Sequence, residues 1–364
     1  MARAFGGPGK YVQRAGEIAR LGEHLAPLGR RPLFLVDRAL FEPMAAAIAA
    51  ALGADVRPRF ERFGGECCSA EIGRVTAIAV EERADVVVGV GGGKTADTAK
   101  IVAIETGARI VIVPTIASTD APCSAVAVRY TKDGVYETSL RLARNPDLVL
   151  VDSAIVAAAP PRFLIAGIGD ALSTWFEARS NLESRTDNYV AGGFPAPLAG
   201  IAIARHCHDV LMRDALKART AVEAGLLTTA VENIIEANTL LSGLGFENCG
   251  CAAAHGIHDG LTVLDEVHGV FHGEKVAFGT LCLLMLENRE QAEIEATVRF
   301  CRALGLPTRL ADLGIVADVR EKVERVAAAA LAPGAIIHAT PVRLSVPIVR
   351  DAILALDAFA TTLG

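Results

Sequence analysis

Four of the chain's eight histidines fall between residues 255 and 272, at His255, His258, His268 and His272. His255 and His258 stand three apart in AAAHGIHDG, which puts them on one face of a helix, and His272 opens a second segment, HGEKVAFG, 17 residues after His255. Two imidazoles from neighbouring segments plus one carboxylate make a divalent metal site with a position left open for an oxygen ligand. Asp170, in GIGDALSTWFEA near an expected helix start, is the leading carboxylate, although spacing alone leaves Asp259, Asp265 and Glu266 open. Cys251, four residues before His255, competes as a thiolate ligand that would favour zinc. A metal so held lowers the pKa of bound water from about 15.7 to about 7. His24, His206, His208 and His338 read as packing or surface residues, and packing competes with function at His258 and His268.

A second pattern could hold a phosphate. Residues 85–100 read DVVVGVGGGKTADTAK: a buried strand ends at Val90, the chain turns through Gly91, Gly92 and Gly93, and a helix begins near Thr95. Glycines let backbone N–H groups approach a pyrophosphate, the helix start adds unpaired donors and positive potential, and Lys94 adds a full charge. The spacing is neither that of a P-loop nor that of a first-strand GxGxxG. Asp37 ends the first strong strand, where a carboxylate accepts bonds from adenosine ribose hydroxyls; its charge opposes a 2′-phosphate and favours NAD over NADP. Another strand ends in Val113-Pro114-Thr115 and runs on as IASTDAPCS, gathering hydroxyls and Asp120 at the sheet edge that lines ligand crevices.

Two kinds of architecture must position these groups. Short Val/Ile/Leu runs at residues 32–37, 85–90, 109–114 and 147–152 are mostly separated by amphipathic stretches such as 41–52 and 69–83, the pattern of a parallel sheet covered on both faces. Beyond Pro160 and Pro161 the pattern turns helical, at 166–180, 197–213, 221–241 and 273–287, with Gly243 and Gly245 suited to a helix stop. An α/β domain over residues 1–158 and a helical domain over 159–364 are therefore expected, with the ligand in the cleft between them. A chain of 364 residues, 52% apolar, is long enough for two cores. Its net charge of −6 and the absence of any basic run exclude a nucleic-acid or anionic-membrane surface. No signal-peptide core or membrane-length apolar run occurs, and eight scattered cysteines read as reduced and mostly buried, so a cytoplasmic location is expected.

FGGPGKYVQ at residues 5–13, GVGGGKTADTAK, VPTIASTDAPCSA, NPDLVLVD, GIGDALSTWFEA, LSGLGFE, AAAHGIHDG and HGEKVAFGTL follow one another in this order. Together they resemble the glycerol dehydrogenases, the NAD- and zinc-dependent branch of the iron-containing alcohol dehydrogenase superfamily. The resemblance implies an α/β N-terminal dinucleotide-binding domain and an all-helical C-terminal metal-binding domain, the dehydroquinate synthase-like fold, in a homo-oligomer, commonly an octamer. It implies one Zn2+ per subunit on Asp170, His255 and His272, with His258 a neighbour rather than a ligand. Asp120 is implied to hold the polyol, and Asp37, Gly92, Gly93, Lys94, Thr95, Thr115, Ser118, Ser124, Val126 and Tyr130 to contact NAD. Iron-type relatives carry a further histidine four residues after the Asp ligand; here that position is Thr174, which favours zinc.

The implied reaction is reversible oxidation of glycerol to dihydroxyacetone, with vicinal diols such as 1,2-propanediol as further substrates. A dehydroquinate-synthase-like cyclase on the same fold would need clustered Lys and Arg near the metal for its phosphorylated, carboxylated substrate, and the metal segments offer little beyond Lys275. A glycerol-1-phosphate dehydrogenase meets the same objection less severely.

Overall fold

Apolar runs that bury both faces of a strand build the centre of the sheet. The computed structural model describes residues 2–188 and 192–363. Its strands are β1 (Tyr11–Gln13), β2 (Pro32–Val36), β3 (Arg59–Arg62), β4 (Val86–Gly91), β5 (Arg109–Pro114), β6 (Val126–Tyr130), β7 (Tyr136–Arg141) and β8 (Leu148–Val151). Six of them pair in the order β1-β8-β5-β4-β2-β3, all parallel, as the sequence led us to expect. β2, β4, β5 and β8 are the four apolar runs, and they are buried almost throughout. The strands without such a run went unread: β3 is the charged edge strand RFER, β1 is a three-residue edge, and β6 and β7 form a largely polar antiparallel hairpin.

From β2 the chain passes to β3 on one side, and from β4 to β5 on the other. The connections leaving the C-terminal ends of β2 and β4 therefore diverge, which makes this junction a topological switch point, the usual place for a ligand crevice in an open α/β sheet.

Helices α1 (Leu21–Leu25), α2 (Phe41–Ala51), α3 (Ser69–Glu81), α4 (Gly93–Thr106) and α5 (Ser153–Ala158) accompany the strands. They are followed by α6 (Pro161–Ser184), α7 (Leu198–Glu223), α8 (Thr229–Glu236), α9 (Ser242–Cys249), α10 (Ala253–Leu261), α11 (His272–Leu286), α12 (Gln291–Leu304), α13 (Val319–Ala330) and α14 (Val346–Thr362). None of the helices in the described residues is long and apolar enough to cross a membrane.

The chain forms two compact units, one of residues 6–164 with 221–243, the other of 1–5, 165–220 and 244–364. A single cut after residue 158 does not describe this division, because the segment around α8 belongs with the sheet. Polar bonds show what fastens it there. Gln13 Nε2 donates to the Glu232 carbonyl and carboxylate at 2.9 and 2.6 Å, Ser153 Oγ donates to Glu232 Oε1 at 2.6 Å, and Asn238 Nδ2 donates to the carbonyls of Ala117 and Leu164, both at 3.0 Å.

Two helical expectations are corrected. The stretch 221–241 is not one helix: α7 ends at Glu223, Gly225 turns the chain at φ +70°, and α8 widens into a π-turn over Ala237–Leu241. Gly243 and Gly245 do not stop a helix but lie within α9. A Cβ on Gly245 would stand 2.3 Å from the Thr174 methyl, so glycine there answers close packing rather than a turn.

Candidate functional site

Asp170 lies on α6 and His272 opens α11; each is followed or preceded by a glycine that lets the two backbones touch. A Cβ on Gly273 would fall 1.8 Å from the Ala166 carbonyl oxygen, and one on Gly169 would fall 2.4 Å from that of Gly273. At so close a crossing a short carboxylate reaches a histidine on the other helix: Asp170 Oδ1 is 3.2 Å from His272 Nε2 and 3.5 Å from His255 Nε2. One donor atom from each of Asp170, His255 and His272 lies within 4.8 Å of the others. One carboxylate oxygen and two imidazole nitrogens fit a divalent ion with an open coordination position. Asp170 is 1% exposed, and burial by itself would raise its pKa; the His272 and His255 imidazoles reverse this and hold it well below the usual carboxylate range.

Both imidazoles are held on their other nitrogen. His255 Nδ1 is 2.7 Å from Glu177 Oε2, and Glu177 Oε1 accepts the backbone N–H groups of Ala252 and His255 at 2.7 and 2.9 Å. His272 Nδ1 is 2.9 Å from His258 Nε2, whose Nδ1 is in turn 3.0 Å from Asp259 Oδ1. Burial, with His272 and Lys275 nearby, pushes His258 well below its ordinary pKa, which keeps it neutral and able to accept a bond from His272. His258 thus stands beside the trio as a partner of His272.

Of the other three carboxylates, Asp259 pairs with His258 and Glu266 with Lys322 at 2.5 Å, while Asp265 opens the short turn Asp265–Val267 and is not among the residues whose donor atoms converge. Cys251 groups with Glu177 and His255 rather than with Asp170 and His272. All eight cysteines are buried free thiols. Sequence reasoning missed Glu177, although the signal was present: seven residues after Asp170 is two turns along the same helix face.

At the switch point of the sheet, Asp37 follows β2 and the three glycines follow or end β4. Helix α4 begins at Gly93, two residues earlier than expected, with Gly92 as its N-cap. A Cβ on Gly91 would press against Thr95 Oγ1 at 2.6 Å and Asp37 Cβ at 3.1 Å, so glycine is what allows these elements to converge. Asp37 is half-buried and uses Oδ1 to accept from Ala39 N at 2.9 Å. Lys94 Nζ sits 2.5 Å from Glu66 Oε2 and 4.9 Å from the centre of the Tyr130 ring, which brings two expected cofactor residues side by side. Thr95, Thr115 and Ser124 are buried; Ser118 and Val126 are half-buried. Buried Lys100, also missed, pairs with Asp97 at 2.8 Å and donates to the carbonyls of Ala121 and Val126, tying α4 to the loop after β5 and to β6.

Asp120 is half-buried, and its Oδ2 accepts from Ser242 Oγ at 2.6 Å. Ser242 follows the π-turn directly, a local widening often found at functional sites. It stood in the LSGLGFE block without an assigned role.

Comparison with known proteins gives the family. The profile of the family described as "Iron-containing alcohol dehydrogenase" matches residues 8–153. The chain is 46% identical to the glycerol dehydrogenase of Pseudomonas putida, over 98% of both chains. It is 42% identical to a glycolaldehyde reductase of Halobacterium salinarum, again over 98% of both. The crystal structure of a "probable glycerol dehydrogenase" from Sinorhizobium meliloti 1021 superposes with a TM-score of 0.96 at 75% identity, covering 100% of both chains.

Proposed function

The chain belongs to the iron-containing alcohol dehydrogenase family, among its glycerol dehydrogenases, and we propose from this premise that it oxidises glycerol reversibly to dihydroxyacetone with NAD+ as hydride acceptor. The observation that carries the reading is the convergence of Asp170, His255 and His272 within one helical unit. These three side chains hold a divalent ion, and we assign Zn2+ because Thr174, one turn on from Asp170, offers no fourth imidazole. When bound, such an ion supplies Lewis acidity at the alcohol oxygen, worth several kcal/mol of charge stabilisation. Oxidation removes a hydride from the carbinol carbon and a proton from its hydroxyl, giving dihydroxyacetone, NADH and H+.

Gly92 and Gly93 present backbone N–H groups at the start of α4 to the pyrophosphate, while Asp37 accepts bonds from the adenosine ribose. Lys94, Thr95, Thr115, Ser118, Ser124, Val126 and Tyr130 complete the NAD contacts. Asp120 accepts a hydrogen bond from a substrate hydroxyl, which favours vicinal diols over simple alcohols. A homo-oligomer, up to an octamer, in the cytoplasm follows from the same kinship. The cyclase alternative is not favoured, since the similar proteins are dehydrogenases and reductases.

Protein supplied with glycerol and NAD+ is expected to generate NADH absorbance, to lose this activity with a chelator, and to regain it with Zn2+ more fully than with Fe2+. A panel including 1,2-propanediol and glycolaldehyde ranks the substrates. No turnover of any polyol in any metal form would end the dehydrogenase reading.

Ser242→Ala tests the Asp120 assignment. Loss of the 2.6 Å bond removes one of the contacts that orient the carboxylate, and KM for glycerol should rise about fivefold, equivalent to about 1 kcal/mol, with kcat nearly unchanged. Steady-state kinetics with glycerol and 2-propanol decide it: an equal loss on both substrates removes Asp120 from the diol site.

A further inference from the structure

We propose that Glu177 is a positioning residue for His255, gripping its imidazole through Nδ1 so that Nε2 faces Asp170 as the metal-donor atom. The proposal rests on the metal reading above and extends it to a residue outside the ligand set. Glu177 is fully buried, and a carboxylate in that position persists only when its lone pairs are satisfied. Three of its bonds come from His255 or its immediate segment: two backbone N–H groups on Oε1 and the ring on Oε2. A neutral imidazole has one donor and one acceptor nitrogen, and an ionised carboxylate only accepts. Facing Oε2, Nδ1 is the nitrogen that donates, so a metal would take the lone pair of Nε2, which faces Asp170 Oδ1 at 3.5 Å, and leave the remaining ring proton on Nδ1.

The same carboxylate also sets where the ring starts from. Its bonds to Ala252 N and His255 N cap the first turn of α10, where unpaired N–H groups and the helix dipole favour negative charge. A capping role explains Oε1, but it does not explain the 2.7 Å contact of Oε2 with Nδ1. Because Asp170 and Glu177 lie two turns apart on α6, one rigid helix places both a ligand and the group that aims a second ligand. Outer-shell carboxylates of this kind typically contribute 10- to 100-fold to metal affinity.

The isosteric variant E177Q gives the sharpest test. Its carboxamide oxygen can still accept from the two backbone N–H groups, but its NH2 then faces Nδ1, which must become the acceptor. The proton moves to Nε2, the atom the metal needs. Zn2+ affinity, measured by competition with a chromophoric chelator, is expected to fall 10- to 100-fold. In zinc-loaded protein with 15N-labelled histidine, the wild type should show a His255 Nδ1–H signal displaced by its carboxylate partner, and E177Q should lose that displacement. In an H255A background E177Q should cost no further affinity. Wild-type Zn2+ affinity in E177Q, or an equal loss with and without His255, would overturn the proposal and leave Glu177 a helix cap. If E177Q does not fold, E177D serves: it should keep the displaced Nδ1–H signal, and loss of that displacement counts against us. A wild-type protein that binds no zinc would refute the metal reading, whereas wild-type zinc affinity retained in E177Q would refute only the role of Glu177.

Discussion

His272→Ala is expected to eliminate glycerol oxidation while leaving the dinucleotide site intact. The substitution removes one of three donors and leaves a carboxylate and a single imidazole, too few for a stable catalytic site. Because Lewis-acid stabilisation is worth several kcal/mol and each 1.36 kcal/mol is tenfold in rate, kcat/KM should fall by on the order of 10³ to 10⁴ or more. Metal analysis should show bound zinc dropping from about one per chain to none. NAD+ affinity, followed by fluorescence titration, should change little, because Asp37 and the glycine turn belong to the sheet-containing unit and His272 to the other. The fold should also survive, since His272 is 34% exposed at the first position of its helix. Retained zinc with lost NAD+ binding would show that His272 serves the cofactor.

Gly273→Ala should do comparable damage without touching a ligand. The added methyl would stand 1.8 Å from the Ala166 carbonyl oxygen, so α6 and α11 must part. Overpacking of this kind costs about 1–3 kcal/mol and sometimes more, which should lower the melting temperature by about 1–4 °C. The same displacement pulls Asp170 from His272, now 3.2 Å apart, and Zn2+ affinity should fall with it. Gly73→Ala is the matched control: Gly73 lies exposed in α3 with no atom within 4 Å of the added Cβ, so it should gain about 0.5–1 kcal/mol. Thermal melts and zinc titrations of the two variants check both expectations. Unchanged stability and zinc affinity in Gly273→Ala would mean that the crossing does not set the site.

The contrast between these two glycines shows where sequence reading stops. Both sit in helical segments, and nothing in their flanking residues says which one touches another backbone. Gly243 and Gly245 illustrate the same limit, since glycine in a helical pattern reads as a stop until a neighbour such as the Thr174 methyl is seen beside it. Glu177 was visible at helical spacing from Asp170, but its role depends on the loop before α10 folding back onto α6. Ser242 and Lys100 likewise take meaning from partners far away in the chain.

By itself the sequence determined the parallel α/β character of the first part, through apolar runs that only a doubly covered sheet can bury, and the helical character of most of the second. It also marked the turn after β4 and the clustered histidines, because these signals are local: they depend on residue type and on spacings of a few positions. Tertiary structure alone decided which carboxylate joins His255 and His272, that residues 221–243 pack with the sheet, and which buried groups hold the donors in place. The physical reason is that a coordination site is a matter of a few ångströms between distant segments, set by how closely helix backbones approach, and that approach depends on packing which no periodicity records.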